Sequence, residues 1–267
     1  MKIQYSGNIL KMRSQLESPV QYQLPLGNDL VPLNPLLGKK IKLQFNGVIN
    51  CIATGKKITK SYNQGYSFEA FRRLAQCDQC IMSPELCHYD KGTCREPEWG
   101  QKNCMIDHIL YLAITSGPKV GITRHTQVPT RWIDQGAVKA LPIIKIPTRY
   151  ASGLLEVEIK AHLSDKTNWR KMLKGEIDDA DLYYLRDELL EQIGEFMEEL
   201  GGEDLDESQV EISYPLVDIP LKISALSFDK NPCVEGVLKG IKGQYLIFEQ
   251  GVLNIRKHQG YKIDFSY

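Results

Sequence analysis

Three side chains spaced along one stretch of this chain could do phosphodiester chemistry: Tyr111, Arg131 and Glu156. An aromatic hydroxyl, a guanidinium and a carboxylate in that order are the parts of a small metal-assisted phosphodiesterase. A planar guanidinium suits the charge on non-bridging oxygens, and Mg2+ asks for few protein ligands, so one carboxylate is enough. Between them, Gly121 in Lys119-Val-Gly121 would let backbone approach a ligand closely. Each residue also has a plainer reading. A tyrosine in an apolar strand is usually buried with its hydroxyl satisfied, and Arg124, Arg131 and Glu158 can be surface charge. His125 and His162 stand alone, and Trp132 and Trp169 read first as core.

Five of the seven cysteines fall between Cys77 and Cys104. Cys77-Asp-Gln-Cys80 is a knuckle whose two thiolates can share one tetrahedral ion, and Cys87, Cys94 and Cys104 can complete the set. The expectation is a structural Zn2+ on Cys77, Cys80 and two of Cys87, Cys94 and Cys104, with Cys87-His88 as a competing pair. The segment is polar and rich in turn residues, so a metal can supply folding energy that burial does not. Upstream, Cys51-Ile-Ala-Thr54 and Ser67-Phe-Glu-Ala70 have the spacing of two more knuckles with three of four thiols missing. Cys51 and Cys233 then read as small buried hydrophobes.

The elements that must position these residues follow from periodicity. Ile109 to Ala113 reads as a buried strand, Ser116-Gly117-Pro118 as a turn, and Lys119 to Thr123 as the returning strand. A helix from Pro129 to Gln135, stopped by Gly136, carries Arg131. Leu141 to Thr148 is a third strand, and a helix opening at Ser152 carries Glu156. Ser67 caps a short helix to Leu74. Ile41, Leu43 and Phe45 alternate into Asn46-Gly47, which predicts a hairpin turn. Residues 177–200 form an amphipathic helix capped by Asp178, with Leu182, Leu185, Leu189, Ile193, Phe196 and Leu200 on one stripe.

These readings divide the chain into an N-terminal β module (1–50), a cysteine-rich zinc segment (51–108), an α/β domain (109–175), an acidic helix and linker (176–209) and a C-terminal β module (210–267). The last packs with the first, because fifty residues alone make a thin core. The fold class is α+β.

Composition is that of a soluble globular protein, with 42% hydrophobic and 25% charged residues. No apolar run reaches the roughly 20 residues needed to span a bilayer, and no signal core opens the chain, so a cytoplasmic protein with reduced cysteines is expected. Net charge is zero but unevenly spread. Residues 1–149 carry 20 Lys and Arg against 10 Asp and Glu, whereas residues 176–208 carry one Arg against 14 acids. A basic half is what a polyanion-binding surface needs. The acidic stretch could equally neutralise that half or face a protein partner.

Residues 109–163 resemble the GIY-YIG nuclease superfamily, in the branch whose second motif begins with lysine. Tyr111 falls on the first motif, Lys119-Val120-Gly121 on the second, Arg131 on the helix arginine and Glu156 on the metal-binding glutamate. The resemblance implies that the tyrosine assists deprotonation of water, the arginine stabilises phosphorane-like charge, and the glutamate holds Mg2+ or Mn2+. Lys119 stands where a second tyrosine is common. Gln135 sits one turn after Arg131 where a histidine is common, and Asn168 is a candidate late asparagine.

The chain also resembles an uncharacterised bacterial family, DUF2797, nearly end to end. Val20-Gln-Tyr-Gln-Leu-Pro-Leu26, Cys94-Arg-Glu-Pro-Glu-Trp-Gly100, Lys119-Val-Gly-Ile-Thr-Arg124, Trp132-Ile-Asp-Gln-Gly136 and Gly240-Ile-Lys-Gly-Gln-Tyr-Leu-Ile-Phe248 carry the likeness. That resemblance implies an intracellular bacterial protein and makes Thr54, Ser67 and Ala70 look like losses. Together the readings predict a GIY-YIG-like core with a zinc-binding insertion. The expected function is DNA or RNA binding, as a metal-dependent endonuclease or as a non-catalytic nucleic-acid or protein-binding adaptor using the helix at 177–200.

Overall fold

The structure is a computed structural model that describes residues 3–161, 163, 166–219 and 223–267. In chain order it contains β1 (Tyr5–Asn8), β2 (Arg13–Gln15), β3 (Gln21–Leu26), β4 (Asp29–Pro32), β5 (Lys40–Asn50), β6 (Lys57–Ile58), α1 (Phe68–Arg73) and α2 (Pro97–Asn103). Then come β7 (His108–Ile114), β8 (Pro118–Arg124), α3 (Thr130–Asp134), β9 (Lys139–Ile146), α4 (Arg149–Ile159), α5 (Trp169–Lys174) and α6 (Leu182–Glu199). The chain closes with β10 (Glu203–Asp204), β11 (Val210–Glu211), β12 (Ala225–Leu226), β13 (Cys233–Lys242), β14 (Tyr245–Phe248), β15 (Gly251–Asn254) and β16 (Tyr261–Ser266). The class is mixed α+β.

Two compact units divide the chain, Met1–Arg72 with Ser213–Tyr267, and Arg73–Ile212. The first is built from both chain ends. Its main sheet runs β1-β16-β5-β13-β14-β15-β12, with β6 on β5, and β2-β3-β4 form a second, three-stranded sheet. The period-two pattern of Ile41 and Leu43 buries both side chains in the core with Phe265, Leu246 and Phe248. Asn46-Gly47 does not turn the chain. β5 runs straight through it for 11 residues. Gly47 takes φ +75°, and the pairing slips from Tyr261↔Ile49 to Ile263↔Phe45. The glycine therefore serves a bulge, where two extra residues of β5 are accommodated by that backbone, and pairing continues on both sides of it. Residues 51–72 follow β5 into this unit, so the stretch from 51 to 108 is not one segment.

In the second unit the sheet order is β10-β9-β7-β8, with β11 on β9. β7 is central and wholly buried, as a continuous apolar run should be. Its alternate residues Leu110, Leu112 and Ile114 face a cluster that also contains Leu155 and Ile159 from α4 and Leu189 and Ile193 from α6. α4 begins earlier than Ser152 suggests. Thr148 Oγ1 accepts the Ala151 N–H at the cap, and Ser152 instead donates its hydroxyl to the Arg149 carbonyl inside the helix. Likewise Asp181, not Asp178, caps α6 through the Tyr183 and Tyr184 N–H groups. α3 stops at Gly136, which adopts φ +72°.

Candidate functional site

β8 is the free edge of its sheet in that order, and a cleft of about 260 Å3 opens beside it. Lys119 and Gly121 come from β8, Arg131 and Gln135 from α3 and its end, and Arg149, Glu156 and Lys160 from α4 and its end. Arg149, Glu156 and Lys160 recur at steps of seven and four residues, which places them on one helix face. Glu158, two residues from Glu156, is exposed. Four cations therefore meet one carboxylate. The Lys160 ammonium lies 3.5 Å from the Glu156 carboxylate, and Lys119 Nζ donates to Thr167 Oγ1 at 3.4 Å. The opposite wall is Ile81, Met82 and Pro84 from the cysteine-rich segment.

Tyr111 does not line this cleft. It is fully buried, and it lies across from Gly121 in the β7–β8 register. A Cβ on Gly121 would sit 2.6 Å from the Tyr111 hydroxyl, so this glycine makes room for the tyrosine. The hydroxyl reaches the cleft through Gln135. The amide orientation that satisfies both ends has Gln135 Nε2 donating to Tyr111 Oη at 2.9 Å, while its oxygen accepts from Arg131 Nε and Nη2 at 3.3 Å. Burial pushes the Tyr111 hydroxyl up to about 12, against the pull of the neighbouring Arg131. Trp132 packs on the same ring at 5.9 Å between centroids and is buried.

The cysteine pocket is a void of about 10 Å3 lined by Cys80, Cys87, Cys94 and Cys104, with Asp78 and His88 at its wall. That is room for a single small ion. All seven cysteines are reduced. Cys77 is buried but is not part of the lining. The chain turns between the two residues of the knuckle. One 3-10 turn ends at Cys77, Asp78 is extended (φ −69°, ψ 156°), and a second 3-10 turn begins at Gln79. Among the described residues, Asp78, Cys80 and His88 bring ligand atoms within 4.8 Å of one another. Two of these already have partners. Asp78 Oδ2 lies 2.6 Å from Arg95 Nε, and His88 Nδ1 lies 2.8 Å from Thr93 Oγ1. Burial raises the Cys80 thiol to about 11, helped by Asp78 and by Cys87.

Arg149 joins the two places. Its backbone N–H donates to the Cys104 carbonyl at 2.8 Å. Its Nε donates to the Cys80 carbonyl at 3.3 Å and its Nη2 to the Ile81 carbonyl at 2.6 Å. At Gly153 a Cβ would meet the Glu85 nitrogen at 2.3 Å. That glycine lets α4 lie directly on the 3-10 turn Pro84–Leu86, which follows the cleft wall. Sequence reasoning missed Arg149, Lys160 and Gln135 as site residues. The signal available for two of them was the seven- and four-residue spacing around Glu156.

The remaining candidates lie elsewhere. His125 is exposed near Asp107, Asn168 caps α5, and His162 lies outside the described residues. In the first unit Cys51 is buried. Burial raises its thiol, but hydrogen bonds from the Thr54 hydroxyl and from backbone at Ser67, Ala53 and Thr54 outweigh this and bring it down to about 7.

Compared with known proteins, residues 38–263 match the family model described as a protein of unknown function (DUF2797). No curated protein matches, and no solved structure matches.

Proposed function

The chain belongs to the DUF2797 family, and from its own residues we propose that it binds nucleic acid and cleaves phosphodiester bonds in the cleft beside β8. The observation that carries this reading is the convergence of Lys119, Arg131, Arg149 and Lys160 on a site with one carboxylate, Glu156. Such a cleft attracts a polyanion and leaves one ligand for a divalent cation. The order β7, β8, α3, β9, α4, with Arg131 on the first helix and Glu156 on the second, supports kinship with the GIY-YIG superfamily.

Glu156 fits Mg2+ or Mn2+, since its carboxylate reaches the cleft, where the Lys160 ammonium lies 3.5 Å from it. A bound divalent ion would neutralise charge on the leaving oxygen. Arg131 and Arg149 stabilise charge on the non-bridging oxygens, and Lys119 and Lys160 hold the flanking phosphates. Tyr111 stays protonated near neutral pH and orients Arg131 through Gln135. It does not take a proton from water itself. Cys80, Cys87, Cys94 and Cys104 line a void that suits a structural Zn2+ and would hold it through thiolates, with Asp78 and His88 beside Cys80 as the competing ligands.

Divalent-dependent nicking of a plasmid tests the reading. Glu156→Ala should abolish it, with fold and zinc content unchanged. Equal nicking by wild type and variant sinks the assignment. The sealed position of Tyr111 favours one rival, a non-catalytic adaptor. Salt-dependent binding without cleavage at any Mg2+ or Mn2+ concentration would select it.

A further inference from the structure

Residues 56–72 of the first unit carry Lys56, Lys57, Lys60 and Arg72 against a single acid, Glu69, and interleave them with Tyr62, Tyr66, Phe68 and Phe71. The folded segment gathers the rings. Tyr62 and Phe68 lie 5.2 Å apart between centroids, and Tyr62 and Phe71 lie 6.1 Å apart and nearly parallel at 24°. The central ring, Tyr62, and the exposed one, Phe68, each have a cation beside them. Lys60 Nζ is 5.2 Å from the Tyr62 ring and the Arg72 guanidinium 5.8 Å from the Phe68 ring. Phe68 is 53% exposed, although its sequence neighbour Ala70 is buried.

The scaffold behind the rings is stiff. Tyr62 and Tyr66 exchange both backbone hydrogen bonds, at 2.9 and 2.8 Å. The loop they close holds Asn63 and Gln64 at positive φ, 41° and 63°. Side-chain-bearing residues adopt that backbone rarely, so the loop is over-determined by its surroundings. The Ser67 hydroxyl accepts the Ala70 N–H at 3.1 Å and starts α1, which fixes Phe68, Phe71 and Arg72.

We propose that this face is a stacking platform for single-stranded nucleic acid, with a base on Phe68 and phosphates on Lys60 and Arg72. Bases stack on exposed aromatics whatever their sequence, and guanidinium and ammonium groups beside the rings neutralise the backbone. A duplex hides the faces of its bases and offers Phe68 nothing. An anionic membrane is the weaker fit, because α1 has six residues and an interfacial anchor needs a longer apolar stripe. The proposal rests on the nucleic-acid reading above, but not on cleavage.

Anisotropy of a labelled oligothymidylate of about 15 nucleotides, with the full chain and no added divalent metal, tests it. Phe68→Ala should weaken binding by about 5- to 100-fold, and Phe68→Tyr should restore it, while affinity for a duplex of equal length stays unchanged. Arg72→Gln should also lower the salt dependence. Three outcomes overturn the proposal: wild-type binding by Phe68→Ala, equal losses on single strand and duplex, or binding to phosphatidylserine vesicles with none to the oligonucleotide. A protein that stacks the strand but nicks nothing would refute cleavage and leave this platform standing.

Discussion

Gly121 and Tyr111 occupy one space across the β7–β8 pairing, and that explains why the tyrosine sits behind the cleft. With no Cβ at Gly121, the ring occupies the space a side chain there would need, and its hydroxyl reaches Gln135. Gln135 is then the hinge of the site, since it satisfies a buried hydroxyl and steadies a guanidinium together. Gln135→Leu should lower stability by about 1–3 kcal/mol, the cost of leaving a buried hydroxyl unpaired. Tyr111→Phe should recover most of that loss in the double variant. Urea titration of the four proteins checks this, and additive losses would refute the pairing. The elements that carry Tyr111, Arg131 and Glu156 were legible from strand and helix periodicity. Burial of Tyr111 was the plainer reading of an apolar strand, but the partner of its hydroxyl was not legible, because it is a glutamine 24 residues away.

At the scale of elements, the cysteine segment and α4 behave as one construction. Arg149 begins the helix, donates to carbonyls of Cys80 and Ile81, and presents its guanidinium to the cleft. A metal among the thiols would thus hold both a wall and a cation of the site. Metal analysis of purified variants should give one equivalent of zinc in wild type and in Cys77→Ser, and little in Cys80→Ser or Cys104→Ser. Loss of zinc in Cys77→Ser with retention in Cys104→Ser would restore the knuckle as the binding unit. Two 3-10 turns meet at Asp78, between the two cysteines of the knuckle, a backbone break that the Cys-x-x-Cys spacing alone does not announce. The helix starts at 149 and 182 were also missed. Thr148 and Asp181 are caps of the right type, yet nearby Ser152 and Asp178 are equally good on paper, and only packing chooses between them.

Charge at the scale of the whole molecule is partly settled locally. The acidic stretch pairs with β9 inside its own unit, Asp179 with Lys139 at 2.9 Å and Glu203 with Lys145 at 2.6 Å. The stripe of α6 is core, with Leu182, Leu189, Ile193 and Met197 buried. Among the described residues no helix is long and apolar enough to cross a membrane. The equal numbers of acids and bases in the sequence therefore say little about the pH response, to which buried histidines contribute.

His108 and His258 are both fully buried. Burial holds both below the ordinary histidine value, His108 at about 4. His108 Nδ1 lies 2.7 Å from the Ile106 carbonyl and Nε2 has no partner, so the ring is neutral and cannot readily accept a second proton. The unfolded chain protonates these histidines near pH 6.5, whereas in the folded chain His108 resists until about pH 4 and His258 is also held below its ordinary value. The unfolded state therefore binds more protons in that window, and stability falls as pH is lowered through it. For His108 the full effect is roughly 3 kcal/mol at pH 4. Carboxylates held low, such as Asp229 and Asp264, act in the same direction but only below about pH 4. The urea midpoint of the unit containing His108 should fall between pH 7 and pH 4.5. His108→Asn keeps a donor for the Ile106 carbonyl and removes the titration, so it should flatten that slope. An unchanged slope in the variant would show that His108 is solvated in the folded protein and that the acid response arises elsewhere.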